Sequence, residues 1–286
     1  MKLDLKKTYL ITGGAGFLGN SLIARLEKMG IKNIRTISRN EGKLVALKEK
    51  FPFIEIIPGD ISDSYCTEKV VQGVDAIFHL AAFKHVGLAE QNVRECVLGN
   101  VTGTLNILEM TRKYPIEFIL GISTDKAAQV SGVYGASKLL HERLFSDYER
   151  INSNTTYRTV RYGNVLYSTG SVLCKWKDRL QNDEEVIITD PNATRFYWTV
   201  DQAIDLIFNC LENAQDSKPY VPEMKSMSVG DLLEAMIRKY LPEGKTAKVK
   251  EIGLQPGENL HEMILEEGPS SSEVGRFTVE EIFKLI

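Results

Sequence analysis

Residues 8–28, TYLITGGAGFLGNSLIARLEK, decide how the rest of the chain is read. Residues 8–12 form a short apolar run suited to a strand, and the segment 16–29 has the spacing of an amphipathic helix. Between and within them Gly13, Gly16 and Gly19 repeat as G-x-x-G-x-x-G. Glycine is required there for three reasons: the turn uses dihedrals closed to other residues, a pyrophosphate must approach bare backbone, and helix and strand pack closely. The free amides of the helix N-terminus then hold the anion. A glycine string alone also fits any tight strand-to-helix turn. Placed after a first strand in a chain that continues β-α-β, it reads as a dinucleotide site with contacts at Gly13, Gly16, Phe17, Leu18 and Gly19.

Working outward, strands are expected at 33–38, 54–58, 76–81, 117–123 and 156–163, with helices at 41–50, 63–72, 89–113 and 133–151. This alternation predicts an α/β fold, a doubly wound parallel sheet whose ligands gather at the carboxyl ends of its strands. Past residue 164 the pattern loosens. It leaves a strand at 185–189, helices near 200–213 and 228–240, a last strand at 247–253 and an exposed loop at 266–275. The expected division is a dinucleotide-binding unit over 1–165, to which 193–215 returns, and a smaller C-terminal substrate lobe over 166–286.

Among 286 residues, 43% are hydrophobic and 26% charged, which sets disorder aside. A net charge of −3, with Lys and Arg scattered, shows no footprint for nucleic acid or an anionic membrane. No apolar run approaches the ~18 residues of a membrane span, and the opening residues run straight into a strand too short for a signal segment. A cytoplasmic protein is expected. Cys66, Cys96, Cys174 and Cys210 have no C-x-x-C spacing and read as free thiols in a reducing compartment. His85 lacks a second ligand at metal spacing, so no metal is expected. His141 and His261 read as surface or structural residues.

The end of the second strand chooses the cofactor. An acidic residue there would bind a ribose 2′-hydroxyl, whereas Ser38 and Arg39 suit a 2′-phosphate, favouring NADP; Glu41 keeps NAD open. Asp60 and Ile61 follow the third strand at the adenine edge. Ala81, Ala82 and Lys84 follow the fourth, beside the cofactor.

The stretch 121–145, GISTDKAAQVSGVYGASKLLHERLF, carries the chemistry. Tyr134 and Lys138 stand four apart and share a helix face. A tyrosine of ordinary pKa ~10 needs a nearby cation to act near neutral pH. Together with the glycine pattern, GDISD and HLAA, this pair resembles the extended short-chain dehydrogenase/reductase family, in its sugar-nucleotide branch, over nearly the whole chain. The resemblance implies a Rossmann fold and self-association through the helix carrying Tyr134 and Lys138. It also implies that Tyr134 takes a substrate hydroxyl proton while Lys138 lowers the tyrosine pKa and holds the nicotinamide ribose.

A second pair, Asp125 and Lys126 after Thr124, narrows the match. STDKA resembles the soluble UDP-N-acetylglucosamine 4,6-dehydratases that invert carbon 5, whereas dehydratases that retain carbon 5 carry Asp-Glu there. This implies that Lys126 takes the carbon-5 proton and Asp125 protonates the departing 6-hydroxyl, with burial and neighbouring cations depressing the Lys126 pKa. Further matching segments imply substrate-side roles for Lys84, His85 and Glu90. They place Arg161, Asn164, Ser168 and Ser171 around cofactor and UDP, and Arg195 on the diphosphate. Gln129-Val130 replaces the group's Asn-Pro, Gln255 an Arg and Asn259 a Lys, while Glu258 is kept. The reading is an NADP-dependent UDP-N-acetylglucosamine 4,6-dehydratase, a homo-oligomer. The alternatives are a retaining dehydratase, a UDP-sugar 4-epimerase and a non-catalytic NADP-binding protein.

Overall fold

The computed structural model describes residues 3–286. Its first half alternates as the apolar runs require: β1 (Tyr9–Thr12), α1 (Phe17–Lys28), β2 (Ile34–Ser38), α2 (Glu41–Lys50), β3 (Glu55–Pro58), α3 (Ser64–Val71), β4 (Ala76–His79), α4 (Val86–Gln91), α5 (Val93–Val97), α6 (Gly103–Lys113), β5 (Phe118–Thr124), α7 (Val133–Ile151) and β6 (Thr156–Tyr162). β1 and β4 are buried throughout, as central parallel strands covered on both faces must be.

The single helix expected over 89–113 is instead broken. Asn92 leaves helical dihedrals at φ −133° and ψ 57°, and residues Leu98–Thr102 form a π-helical turn. That turn is held by the buried Asn100. Its side chain accepts from Phe83 N at 2.6 Å and donates to Phe83 O and Ser137 Oγ, each at 2.9 Å.

The second half contributes β7 (Asn164–Val165), α8 (Val172–Gln181), β8 (Val186–Ile188), β9 (Thr194–Trp198), α9 (Val200–Asn213), β10 (Pro219–Tyr220), β11 (Ser226–Ser228), α10 (Val229–Tyr240), β12 (Val249–Glu251) and α11 (Val279–Leu285). The main sheet runs β10-β6-β5-β4-β1-β2-β3 with every pairing parallel. Strand order reverses between β1 and β4, which opens the crevice at their carboxyl ends.

Apolar side chains cover both faces of this sheet, and a separate cluster of Leu173, Trp176, Val186, Leu232, Met236 and Ile282 fills the second half. α9 lies back on α1, where Arg25 reaches Asp205 at 2.6 Å. The 266–275 loop is mostly exposed, but Ser271 is fully buried. It accepts from Glu262 N at 2.9 Å and donates to Thr194 O at 3.0 Å. This pins residues 262–264 against β9.

Candidate active site

The glycine loop is a cradle that side chains would fill. Gly13 has φ +71°, and a Cβ there would stand 2.9 Å from Ala81 Cα. A Cβ on Gly19 would stand 2.5 Å from Gly14 Cα. Gly16 precedes α1 with no side-chain cap, and Phe17 and Leu18 open the helix. Thr12 Oγ1 accepts from Leu80 N and Ala81 N, each at 3.1 Å, drawing the strand-four loop with Ala81 and Ala82 beside the glycines. This bare, amide-lined turn fits a dinucleotide pyrophosphate.

At the end of β2, Ser38 Oγ accepts from Asn40 N at 3.3 Å. Arg39 is exposed, 3.7 Å from Asp60 Oδ2, and Ile61 is buried behind it.

Beneath the loop runs a chain absent from the sequence reading. Thr12 Oγ1 meets His79 Nδ1 at 2.8 Å, His79 Nε2 meets Thr104 Oγ1 at 3.0 Å, and Thr104 Oγ1 meets His141 Nδ1 at 3.0 Å. Thr104 donates its proton to Asn100 O at 2.6 Å. It must therefore accept from both imidazoles, which assigns their tautomers. The rings stack with centroids 5.5 Å apart. Burial, and then the charge of Lys138, lowers the His79 pKa to about 3 and takes His141 well below the ordinary value. His141 is thus structural and neutral.

The acid–base groups meet at the end of β5. Thr124 closes the strand in extended conformation, and Asp125–Ala127 makes one 3-10 turn. Asp125 is fully buried. Its Oδ1 accepts from Thr124 Oγ1 at 2.8 Å, Lys126 N at 2.9 Å and Lys126 Nζ at 3.0 Å, while Oδ2 is buried without a partner. Lys126 Nζ also lies 3.4 Å from Glu262 Oε1, which lies 3.8 Å from Arg195 Nε. Arg195 Nη1 donates to Thr194 O at 2.9 Å and Leu260 O at 3.0 Å.

The turn and α7 are packed so closely that a Cβ on Gly135 would stand 2.4 Å from Lys126 O. That contact brings Tyr134 beside the pair. Burial raises the Tyr134 pKa to about 12, against which the Lys126 charge and a hydrogen bond with Thr124 pull it down. Lys138 is buried one turn on, and burial lowers its pKa to about 8.

Three expectations are corrected here. Tyr134 is not held low by Lys138: burial raises it, and the cation that pulls it down is Lys126. Lys126 is not depressed: burial pulls it down, but the carboxylates of Asp125 and Glu262 outweigh burial and Arg195, so its pKa lies above the ordinary lysine value. Arg161 does not face cofactor or nucleotide. It is fully buried, with Nε and Nη2 on Glu142 at 2.9 and 2.6 Å, and it reaches Ile264 O at 2.8 Å.

The remaining candidate residues are held by local contacts. Lys84 Nζ donates to Thr169 O at 3.0 Å, and its pKa is lowered by partial burial. His85 abuts Gly170, where a Cβ would lie 3.0 Å from His85 Cε1. Glu90 accepts from Val133 N at 2.7 Å and so caps α7, the helix of Tyr134. Asn164 pairs in register with Tyr197, and Ser171 precedes α8. Gln255 N donates to Glu258 Oε2 at 3.1 Å, closing an exposed turn. The sequence reading missed Glu262. No local signal marked it: in 260–264 the buried positions are Glu262 and Ile264, while the apolar Leu260 and Met263 are more exposed. An open depression of about 460 Å³, bounded by Lys7, Asp75, Tyr114 and Glu117, lies at the amino ends of β4 and β5, away from these groups.

Residues 9–282 match the family described as polysaccharide biosynthesis protein. The chain belongs to that family. It is 36% identical over 270 residues to an uncharacterized membrane protein of Methanocaldococcus jannaschii, covering 91% of this chain and 81% of the relative. It is 32% identical to the UDP-N-acetylglucosamine 4,6-dehydratase (inverting) of Campylobacter jejuni, covering 91% and 78%. It is 31% identical to a UDP-glucose 4-epimerase of Rickettsia canadensis, covering 91% and 77%. The solved structure of Pen from Bacillus thuringiensis superimposes with a TM-score of 0.93 at 29% identity, covering 99% of this chain and 98% of that one. Among the described residues no helix is long and apolar enough to cross a membrane.

Proposed function

We propose that the protein is a nucleotide-sugar-modifying enzyme of the dehydratase and epimerase kind, and specifically an NADP-dependent UDP-N-acetylglucosamine 4,6-dehydratase that inverts carbon 5. The observation that carries this reading is the Asp125–Lys126 pair, hydrogen-bonded in a buried turn against Tyr134. A simple dehydrogenase or a 4-epimerase needs only Tyr134 and Lys138. The pair has work only where a proton leaves carbon 5 and a hydroxyl leaves carbon 6.

Gly13, Gly16, Phe17, Leu18 and Gly19 would hold the pyrophosphate, Ser38 and Arg39 the 2′-phosphate, Asp60 and Ile61 the adenine, and Ala81, Ala82 and Lys138 the nicotinamide side. Nicotinamide bound there would supply a hydride acceptor for carbon 4 and a hydride donor for carbon 6. Tyr134, a neutral phenol in the empty site, would take the 4-hydroxyl proton as its phenolate, a form that the Lys126 charge and Thr124 favour and burial opposes. The resulting ketone acidifies the carbon-5 proton.

In the resting pair one proton crosses from Lys126 Nζ to the Asp125 carboxylate over 3.0 Å. The amine takes the carbon-5 proton, and the carboxylic acid protonates the departing 6-hydroxyl, which leaves as water. The pair is again ammonium and carboxylate. Inversion requires the proton to return to carbon 5 on the face opposite the one Lys126 deprotonates, so its donor is a group other than Lys126. The proton that Tyr134 gained equals the one carbon 5 takes up, so the proton balance closes and the site is reset.

Residues 166–286 would form most of the sugar-nucleotide lobe, with Arg195 toward the diphosphate and Lys84, His85, Glu90, Asn164, Ser171, Gln255 and Glu258 around the substrate. Glu90 acts at least by capping α7. An arginine replaced by Gln255 removes a charged hydrogen bond of ~1.5–3 kcal/mol, which weakens the nucleotide's hold. Exposed Leu88, Val93, Val97, Leu105 and Leu140 on α4–α7 support self-association there.

A 4-epimerase is the second reading, favoured by the charged resting state of Lys126. Incubation with UDP-N-acetylglucosamine followed by proton NMR separates the readings. A 6-methyl group and a 4-ketone are expected. Unchanged sugar, or gluco–galacto exchange with the 6-hydroxyl retained, refutes the proposal.

A further inference from the structure

Glu262 reaches the site from a segment far along the chain, anchored by the bond from its backbone N to Ser271 Oγ. Its buried carboxylate places Oε1 3.4 Å from Lys126 Nζ and 3.8 Å from Arg195 Nε, while Oε2 accepts from Asn259 Nδ2 at 3.3 Å. Two carboxylates and two cations therefore alternate as Asp125, Lys126, Glu262, Arg195. The other titratable groups facing Lys126 are Tyr134 from α7 and Tyr197 from β9. Both are buried phenols raised by desolvation, hence uncharged at neutral pH.

We propose that Glu262 is a positioning residue for Lys126: it fixes the ammonium against Asp125 and, opposed by Arg195, sets how readily that proton crosses to Asp125. This deepens the dehydratase reading and rests on it for its catalytic meaning. The transfer breaks one N–H bond and forms one O–H bond, so no charge enters or leaves the cluster. The Glu262 anion at 3.4 Å favours the ammonium. The Arg195 cation, bound to that same carboxylate, favours the neutral amine. In the empty site the carboxylates win, and Lys126 is held charged.

The test is competitive acetylation of lysines by acetic anhydride, followed at Lys126 by mass spectrometry across pH, on purified protein with no sugar present. Each unit by which a lysine pKa falls multiplies its free-amine fraction ~10-fold. Glu262→Gln is expected to speed labelling of Lys126 at pH 8 by ~10-fold or more. Arg195→Gln is expected to slow it, and Glu262→Asp to fall between wild type and Glu262→Gln.

Equal rates in Glu262→Gln and wild type overturn the proposal. Faster labelling in both Glu262→Gln and Arg195→Gln also overturns it, because a loosened site rather than charge then explains the change. If Glu262→Gln does not fold, Arg195→Gln decides alone by its sign. Wild type that leaves UDP-N-acetylglucosamine untouched, while the two variants shift in opposite directions, refutes the activity and leaves the charge control standing. In turnover, Glu262→Gln moves the rising limb of the pH–rate profile to lower pH, which a purely structural loss would not do.

Discussion

Gly135 offers the sharpest test of how the site is assembled. It sits one residue after Tyr134 on α7, and a Cβ there would stand 2.4 Å from the Lys126 carbonyl oxygen and 3.2 Å from its carbon. Non-bonded heavy atoms attract near ~3.5 Å, so Gly135→Ala must push α7 and the Asp125–Ala127 turn apart by ~1 Å. Both partners are backbone, so no side chain can swing away. Overpacking of this kind costs ~1–3 kcal/mol. At roughly 2–4 °C per kcal/mol for a chain of this size, the melting temperature falls by ~2–12 °C. Catalysis suffers more, since a ~1 Å misplacement of reacting groups costs ~100-fold in rate. The assay pairs thermal unfolding with single-turnover water loss from UDP-N-acetylglucosamine. Gly87→Ala on α4 is the control, because a Cβ there meets nothing within 4 Å. A Gly135→Ala protein with wild-type melting and wild-type turnover would refute the claim that this close approach sets the geometry between Tyr134 and the pair.

Other perturbations follow from buried charge. Arg161→Met strands the Glu142 carboxylate that also receives Ser123, and chemical denaturation should show a loss of ~3–5 kcal/mol. Arg161→Met with Glu142→Leu should recover most of it, and a single variant within ~0.5 kcal/mol of wild type contradicts the burial argument. Lys138, held down to about 8 when folded and near ~10.4 when unfolded, is charged in both states below pH 8. Lys138→Met should therefore be the more stable protein at pH 7, by on the order of 3 kcal/mol, and the gap should close as pH rises from 8 to ~10.4. A pH-independent gap would contradict it. His79 and His141 stay neutral when folded but protonate near ~6.5 when unfolded. Stability should fall as pH drops below ~6.5, by up to ~1.4 kcal/mol per pH unit for each histidine, and His141→Leu should remove about half of that slope. Equal slopes in wild type and variant would count against the neutral stack.

Local patterns carried the sheet well because β1, β4 and β5 are buried runs whose apolar composition is itself the strand signal. The helix over 133–151 was legible to its ends for the same reason, with a buried face that includes Lys138, His141 and Phe145. Where tertiary contacts overrode local period, the reading failed. The break at Asn92 and the π turn around Asn100 exist because that side chain satisfies the Phe83 backbone across the fold. β9 and β11 were not distinguished because they pair with each other and with β7 in strands of two to five residues, too short to show a period. In the site, Tyr134, Lys138, Asp125 and Lys126 were legible as spacings. Glu262 was not, because its meaning lies in a contact 136 positions away from Lys126. The error over Lys126 had two sources: the charge of the adjacent Asp125, visible in the sequence but not weighed against burial, and the second carboxylate of Glu262, which was not visible.

The central claim is that Asp125 and Lys126 expel water from a sugar oxidised at carbon 4. It is tested most directly in D₂O, by following deuterium uptake at carbon 5 and loss of the 6-hydroxyl from UDP-N-acetylglucosamine in wild type and in Asp125→Asn/Lys126→Ala. Wild type is predicted to give a 4-keto, 6-methyl product labelled at carbon 5. The double variant should still reduce bound cofactor but keep carbon 5 protonated and the 6-hydroxyl in place. Water loss that survives in the double variant would contradict the account.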